Sequence, residues 1–220
     1  MNILLTPEEE KTVRTHPLFS GLSDADFAGA LALYKAVRKT YRRDEFLKLG
    51  GDPFTAFGLL LAGSVLVCTD DLEGNPMLMA HVGRGKTFGE ANCYLKKAPL
   101  VYVQAAEAAD VLWLTPFTPS PARTSLETAL MNRFTALLAE RTLQMNDRIQ
   151  ILSQKTIRGK LLTFFQRYVR AEGKSFEIPF NRNTLALYLG ADRAALSREL
   201  ARMKQDGLID YDGNRFKILL

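Results

Sequence analysis

The stretch Asn181-Arg-Asn-Thr-Leu-Ala-Leu-Tyr-Leu-Gly190-Ala-Asp-Arg-Ala-Ala-Leu-Ser-Arg-Glu-Leu200 spells two short helices around a glycine. Asn181 is suited to cap the first helix, whose inner side takes Leu185, Leu187 or Tyr188, and Leu189. Gly190 ends that helix and permits a tight turn, and Asp192 caps the second. Leu196, Leu200 and Met203 recur at spacings of four and three, forming one apolar face. The opposite side carries Arg193, Ala194, Ser197 and Arg198. A face of short side chains and guanidinium groups fits a groove about 12 Å wide and offers forked donors to guanine O6 and N7. A helical hairpin buried in a core is a poorer match for such a surface.

Downstream, Gly207-Leu-Ile-Asp-Tyr211, Asp212-Gly213-Asn214 and Arg215-Phe-Lys-Ile-Leu219 read as strand, turn and strand. A helix-turn-helix followed by a hairpin is a winged helix, and Arg215 or Lys217 of the wing can reach phosphates. The charge pattern agrees. Residues 155–220 carry 13 Lys+Arg against 7 Asp+Glu, whereas residues 1–154 carry 16 against 17. The net charge of +5 therefore belongs to the last third of the chain, the electrostatic footprint of a phosphate-backbone binder.

Upstream, Ile157, Leu161, Leu162, Phe165 and Val169 define a helix over 156–172, followed by extended Phe176–Phe180. Before it, Leu126, Leu130, Phe134, Leu137, Leu138, Met145, Ile149 and Leu152 trace a helix over roughly 124–153. A helix of that length outreaches a small domain, so a seam against a second copy is expected rather than mere cover for the strands. Pro116, Pro119 and Pro121 separate it from residues 40–115, where short β-rich runs alternate with turn residues. Phe57–Val67 reads as strand, turn and strand, Asp70–Pro76 as a turn, and Met77–Val82, Val101–Val103 and Val111–Leu114 as further strands, together a β-barrel or roll. Residues 7–38 read as helical, with Ser23 as a cap and Phe27, Leu31 and Tyr34 on one face.

Several classes are excluded. No apolar run reaches the roughly 18 residues of a membrane span, and the N-terminus lacks the features of a signal peptide, so a cytoplasmic protein is expected. Cys68, Cys93, His16 and His81 have no ligand-like spacing; the cysteines read as small buried apolar residues and no metal or cofactor is expected. Ala80-His-Val-Gly-Arg-Gly85-Lys86-Thr87 approaches a phosphate-binding loop, but alanine stands where its first glycine belongs and Phe88-Gly89-Glu90 follows where a helix is needed. No nucleophile–base pair or paired carboxylates appear, so an enzyme is not expected.

From about Pro17 onward the chain resembles the cyclic-AMP receptor / fumarate-nitrate regulator (CRP/FNR) family of bacterial transcription factors. The resemblance rests on Leu185-Ala-x-Tyr-Leu-Gly-Ala-x-Arg193-x-x-Leu-Ser-Arg198-Glu-Leu and Gly207-Leu-Ile, and on Gly63, Asp71-x-x-Gly74 and Gly85-x-x-Phe88-Gly89-Glu90. It implies an α+β fold: a cyclic-nucleotide-binding-like jelly roll over 1–122, a dimerisation helix over 123–153 and a winged helix-turn-helix over 154–220. It further implies a homodimer on double-stranded DNA, with RNA polymerase as a further partner and a small-molecule effector in the roll. The expected DNA contacts are Arg182, Asn183, Arg193, Ala194, Ser197, Arg198 and Arg215, and Arg193 and Arg198 match base-reading positions. Ala194 stands where the cyclic-AMP receptor often has Glu, and alanine cannot accept from cytosine N4, so a different half-site is expected.

Phe88, Gly89, Glu90 and Leu100 are the expected effector residues. In the family's cyclic-nucleotide binders Gly-Glu holds the ribose, and Arg-Ser or Arg-Thr about ten residues on neutralises the phosphate. Gly89 and Glu90 are present, but Pro99-Leu100 replaces the cationic pair. Burying a phosphate without a paired cation costs several kcal/mol, and Lys96 or Lys97 lacks the bidentate fork. An effector other than cyclic AMP is therefore expected; cyclic-nucleotide control, or a ligand-binding module acting on a protein partner, is the alternative. A haem sensor would leave only His81 or Cys93 as axial ligands.

Overall fold

A computed structural model describes residues 4–219. Helix α1 (Pro7–Thr15) starts at Thr6, whose hydroxyl accepts from the Glu9 amide while the Glu9 carboxylate accepts from the Thr6 amide. Helix α2 (Asp24–Leu33) is capped by Ser23, as expected. The helical pattern does not run on to residue 38. Lys35 takes a left-handed φ of 44° and Val37–Tyr41 becomes strand β1, because pairing with a later strand overrides local periodicity.

The roll continues with β2 (Phe46–Lys48), β3 (Phe57–Ala62), β4 (Ser64–Asp70), β5 (Pro76–Gly83), β6 (Thr87–Phe88), the short helix α3 (Glu90–Tyr94), β7 (Tyr102–Ala105) and β8 (Ala109–Leu114). One sheet has the order β1-β8-β3-β6 and the other β2-β7-β4-β5. The pairs β1–β8, β3–β8, β3–β6, β2–β7 and β4–β7 are antiparallel. Phe57, Leu59, Leu60, Leu61, Val103, Val111, Leu112 and Leu114 fill the core. Cys68 and Cys93 are both buried free thiols, as their reading as small apolar residues expects.

Helix α4 (Ser125–Leu152) follows the prolines, and Thr124 and Glu127 exchange hydrogen bonds at its start. Its first half carries Leu130, Phe134 and Leu137 into the roll core. Then come α5 (Ile157–Glu172), β9 (Ser175–Glu177), α6 (Arg182–Leu189), α7 (Arg193–Gln205), β10 (Ile209–Asp212) and β11 (Arg215–Ile218), the three strands forming a sheet of order β10-β11-β9. The chain divides into two compact units. One runs up to Asn75 and resumes over Met79–Arg141; the other holds Pro76–Leu78 and everything from Thr142 on. Among the described residues no helix is long and apolar enough to cross a membrane.

In the second unit Leu161, Phe164 and Phe165 of α5 pack against the hairpin and α6. The Phe165 and Phe216 rings lie 4.8 Å apart and those of Phe164 and Tyr188 5.6 Å apart. Phe164 joins this core beside the residues whose spacing marks α5, whereas Ile157, Leu162 and Val169 are only half-buried.

Candidate nucleic-acid interface and effector corner

Asn181 accepts from the Thr184 amide at 2.9 Å and starts α6; Asp192 accepts from the Ala195 amide at 2.8 Å and starts α7. Each cap satisfies a backbone donor that helix geometry leaves without a partner. Gly190 ends α6 in the left-handed conformation at φ 55°, which a side chain would strain. The α6 carbonyls left open at this turn are taken by Lys160 of α5, whose Nζ donates to Leu189 O at 2.8 Å and Gly190 O at 3.2 Å. Of the two candidates for the inner face of α6, Tyr188 is buried and Leu187 turns outward.

Leu196, Leu200 and Met203 are buried, so α7 is fixed in rotation. Arg158 of α5 pins it further, donating to Glu199 at 2.6 Å and pairing with Asp206 at 2.8 Å. The Glu199 bond first, and then Asp206, holds the Arg158 pKa above the ordinary arginine value. This clamp has no signature in the sequence, because its partners lie 41 residues apart. On the other side of α7, Arg193, Ala194, Ser197 and Arg198 are exposed, together with Ala201 and Gln205. Among the described residues neither Arg193 nor Arg198 has an ion-pair or hydrogen-bond partner, so both forks are open to a ligand. Asn183 is exposed at the start of α6.

The wing brings Asp212 opposite Arg215 across a tight turn. Arg215 is exposed and pairs at 3.2 Å with Glu177 of β9, itself exposed. Arg182 differs from the other expected contacts: its guanidinium turns onto the wing and donates to the Gly213 carbonyl at 2.9 Å.

In the roll, Phe88, Gly58 and Trp113 stand in one cross-strand row. Gly58 has no side chain, and the rings on either side close over it as an edge-to-face pair with centroids 5.4 Å apart. A Cβ on Gly58 would meet the Phe88 ring at 2.4 Å. Gly89 is covered by the Phe54 ring. Phe88 and Gly89 thus shape the corner by packing.

Glu90 is buried and accepts from the Thr87 hydroxyl. Arg141 of α4 reaches the same carboxylate at 3.4 Å and donates to the Thr87 carbonyl. Leu100 is 83 % exposed and takes no part in this corner. Sequence spacing did not single out Arg141, whose partner lies 51 residues away.

Burial pushes the Cys93 thiol up to about 11, which leaves almost no thiolate near neutrality. Among the described residues no group of three or more His, Cys, Asp or Glu side chains is placed to hold a metal ion. A groove of about 590 Å³ lies elsewhere, lined by Arg14, Asp24, Phe27, Leu31 and Val37 among others.

The Crp-like helix-turn-helix domain profile matches residues 159–220, the segment holding α6, α7 and the wing. The cyclic AMP receptor protein of Thermus thermophilus is 25% identical over 196 residues, covering 88% of each chain. The C-terminal segment is therefore a Crp-like helix-turn-helix domain. Two solved structures share this chain's fold. FixK2 from Bradyrhizobium japonicum has a TM-score of 0.65 at 20% identity, covering 83% of this chain and 92% of that one. The c-di-GMP responsive global regulator CLP of Xanthomonas campestris has a TM-score of 0.67 at 16% identity, covering 90% of this chain and 100% of that one. The chain therefore joins a β-roll, a long helix and a Crp-like helix-turn-helix domain, the architecture that the sequence resemblance implies.

Proposed function

We propose that this chain is a transcription regulator of the CRP/FNR type that acts as a homodimer on a pseudo-palindromic operator, placing α7 of each copy in the major groove. The carrying observation is the outer face of α7. Arg193 and Arg198 are exposed and unpartnered among the described residues, on a helix whose inner face is buried and whose flank Arg158 clamps. In this reading Arg193 and Arg198 donate to base edges, Ala194 and Ser197 allow close approach, and Asn183 and Arg215 meet phosphates. Two such helices related by a dimer axis sit roughly 34 Å apart on one face of the duplex.

The effector in this reading is a small molecule other than cyclic AMP, acting near the Gly89–Glu90 corner. Two observations favour it. Glu90 already has Thr87 and Arg141 as partners, and Leu100 offers no cation to a phosphate. A ligand there alters DNA binding only through its differential affinity for the DNA-competent and incompetent states.

A mobility-shift assay on the promoter upstream of the regulator's own gene, repeated across a salt series, tests the DNA reading. The expected result is a specific complex whose affinity falls steeply with salt as counterions are released. No shift, or a shift insensitive to salt, would count for the alternative of a ligand-binding module acting on a protein partner.

A further inference from the structure

Arg182 is the first residue of α6, and three contacts turn its side chain onto the wing. Nη2 donates to the Gly213 carbonyl at the wing turn, 2.9 Å away. The guanidinium carbon lies 4.9 Å from the Tyr211 ring centre and 5.1 Å from that of Phe216. Tyr211 and Phe216 face each other across β10 and β11, with centroids 5.6 Å apart. Nη1 is wholly buried without a hydrogen-bond partner. One guanidinium thus touches both strands of the wing and its turn while belonging to the start of α6. Burial lowers its pKa below the ordinary arginine value, which fits a group held for its planar stacking and forked donors more than for its charge. Arg215 begins β11 next to that turn and is 80 % exposed.

We propose that Arg182 is a positioning residue for DNA binding, fixing the wing turn against the start of α6 so that Arg215 meets the phosphate backbone, and that it makes no phosphate contact of its own. The inference rests on the reading of α7 and the wing as the DNA-binding surface. Reaching a phosphate would take Arg182 off the Gly213 carbonyl and both rings at once. Lysine cannot take over the role, because a flexible ammonium lacks the planar fork.

The test uses the full chain and a duplex that the parent protein recovers from a randomised library. Affinity is measured across a salt series for the parent, Arg215→Ala, Arg182→Lys, Arg182→Ala and the combinations with Arg215→Ala. Loss of one phosphate contact lowers the salt slope by about one. Arg215→Ala is expected to do this. Arg182→Lys is expected to do the same although it keeps the charge, and adding Arg215→Ala to it should change nothing more. Without DNA, amide exchange at Gly213–Arg215 should speed up several-fold in Arg182→Lys while α7 amides keep their protection, a local change that a global loss of stability would not produce. Wild-type affinity and slope in Arg182→Lys overturn the proposal. So do independent losses in Arg182→Ala and Arg215→Ala that add to a slope change of about two, or wing amides unaffected by Arg182→Lys. A parent protein that recovers no duplex overturns the DNA-surface reading itself, and this inference with it.

Discussion

Arg198 projects from α7 without a partner among the described residues, so truncating it removes donors from the ligand side and leaves the core face of Leu196, Leu200 and Met203 intact. Arg198→Ala is expected to weaken cognate binding by about 1–3 kcal/mol and to relax preference at one base pair, with the thermal midpoint unchanged. Competition binding against a set of single-base operator variants checks this; equal affinity with unchanged base preference would remove Arg198 from the base-reading set. A second residue-level effect comes from His16, which is buried, its Nδ1 accepting from the Leu18 amide at 3.3 Å. Burial, helped by the positive charges of Lys86 and Arg141, lowers its pKa from the usual 6.5 to about 4. Between those values the unfolded chain binds a proton that the folded chain refuses, so this contribution is complete above about 6.5 and is lost as the pH falls towards 4. In full it amounts to about 3 kcal/mol. Urea midpoints of the parent and of His16→Asn, whose amide oxygen can accept the same backbone bond, should converge as the pH drops across this window. A constant gap between them would contradict the assignment.

At the scale of elements, the row Phe88–Gly58–Trp113 ties β6, β3 and β8 together at the corner that leads into Glu90. Gly58→Ala drives a methyl group into the Phe88 ring and should destabilise the roll by about 1–3 kcal/mol through overpacking. Thermal unfolding followed by Trp113 fluorescence would report it, and an unshifted transition would mean that the ring can move aside at no cost. The winged helix was legible from sequence because its signals are local: the caps at Asn181 and Asp192, the glycine between the helices, and apolar spacings of three and four. The helices over 125–152 and 157–172 were legible for the same reason. Strands β1, β2 and β6 were not, because Val37–Tyr41, Phe46–Lys48 and Thr87–Phe88 gain their conformation from distant partners and carry little alternation of their own. The corner was half legible. Its glycines and Glu90 stand out as a motif, whereas the reach of Arg141 to that carboxylate and the covering of Gly89 by Phe54 depend on tertiary contacts that spacing cannot encode.

For the whole molecule, the decisive surface is the second half of α4. Met145, Ile149 and Leu152 recur at spacings of four and three, and they are 64 %, 59 % and 39 % exposed in the single chain. The first half of the same helix sinks Leu130, Phe134 and Leu137 into the roll, so cover for the strands accounts for that half alone. A continuing apolar stripe that one copy leaves in water is what a helix-to-helix seam needs. A dimer would also carry two copies of α7 onto one duplex, which a pseudo-palindromic operator requires. Replacing Met145 and Ile149 together by Glu puts like charges opposite each other across such a seam while leaving the buried contacts of both units untouched. Sedimentation equilibrium at micromolar concentration should then show a dimer for the parent and a monomer for the double variant, with far-ultraviolet circular dichroism unchanged. On an operator carrying two half-sites the variant should bind no more tightly than it binds a single half-site, because the second recognition helix no longer arrives with the first. A parent that sediments as a monomer, or a double variant that remains a dimer, would place the seam elsewhere and leave the exposed stripe of α4 to another partner.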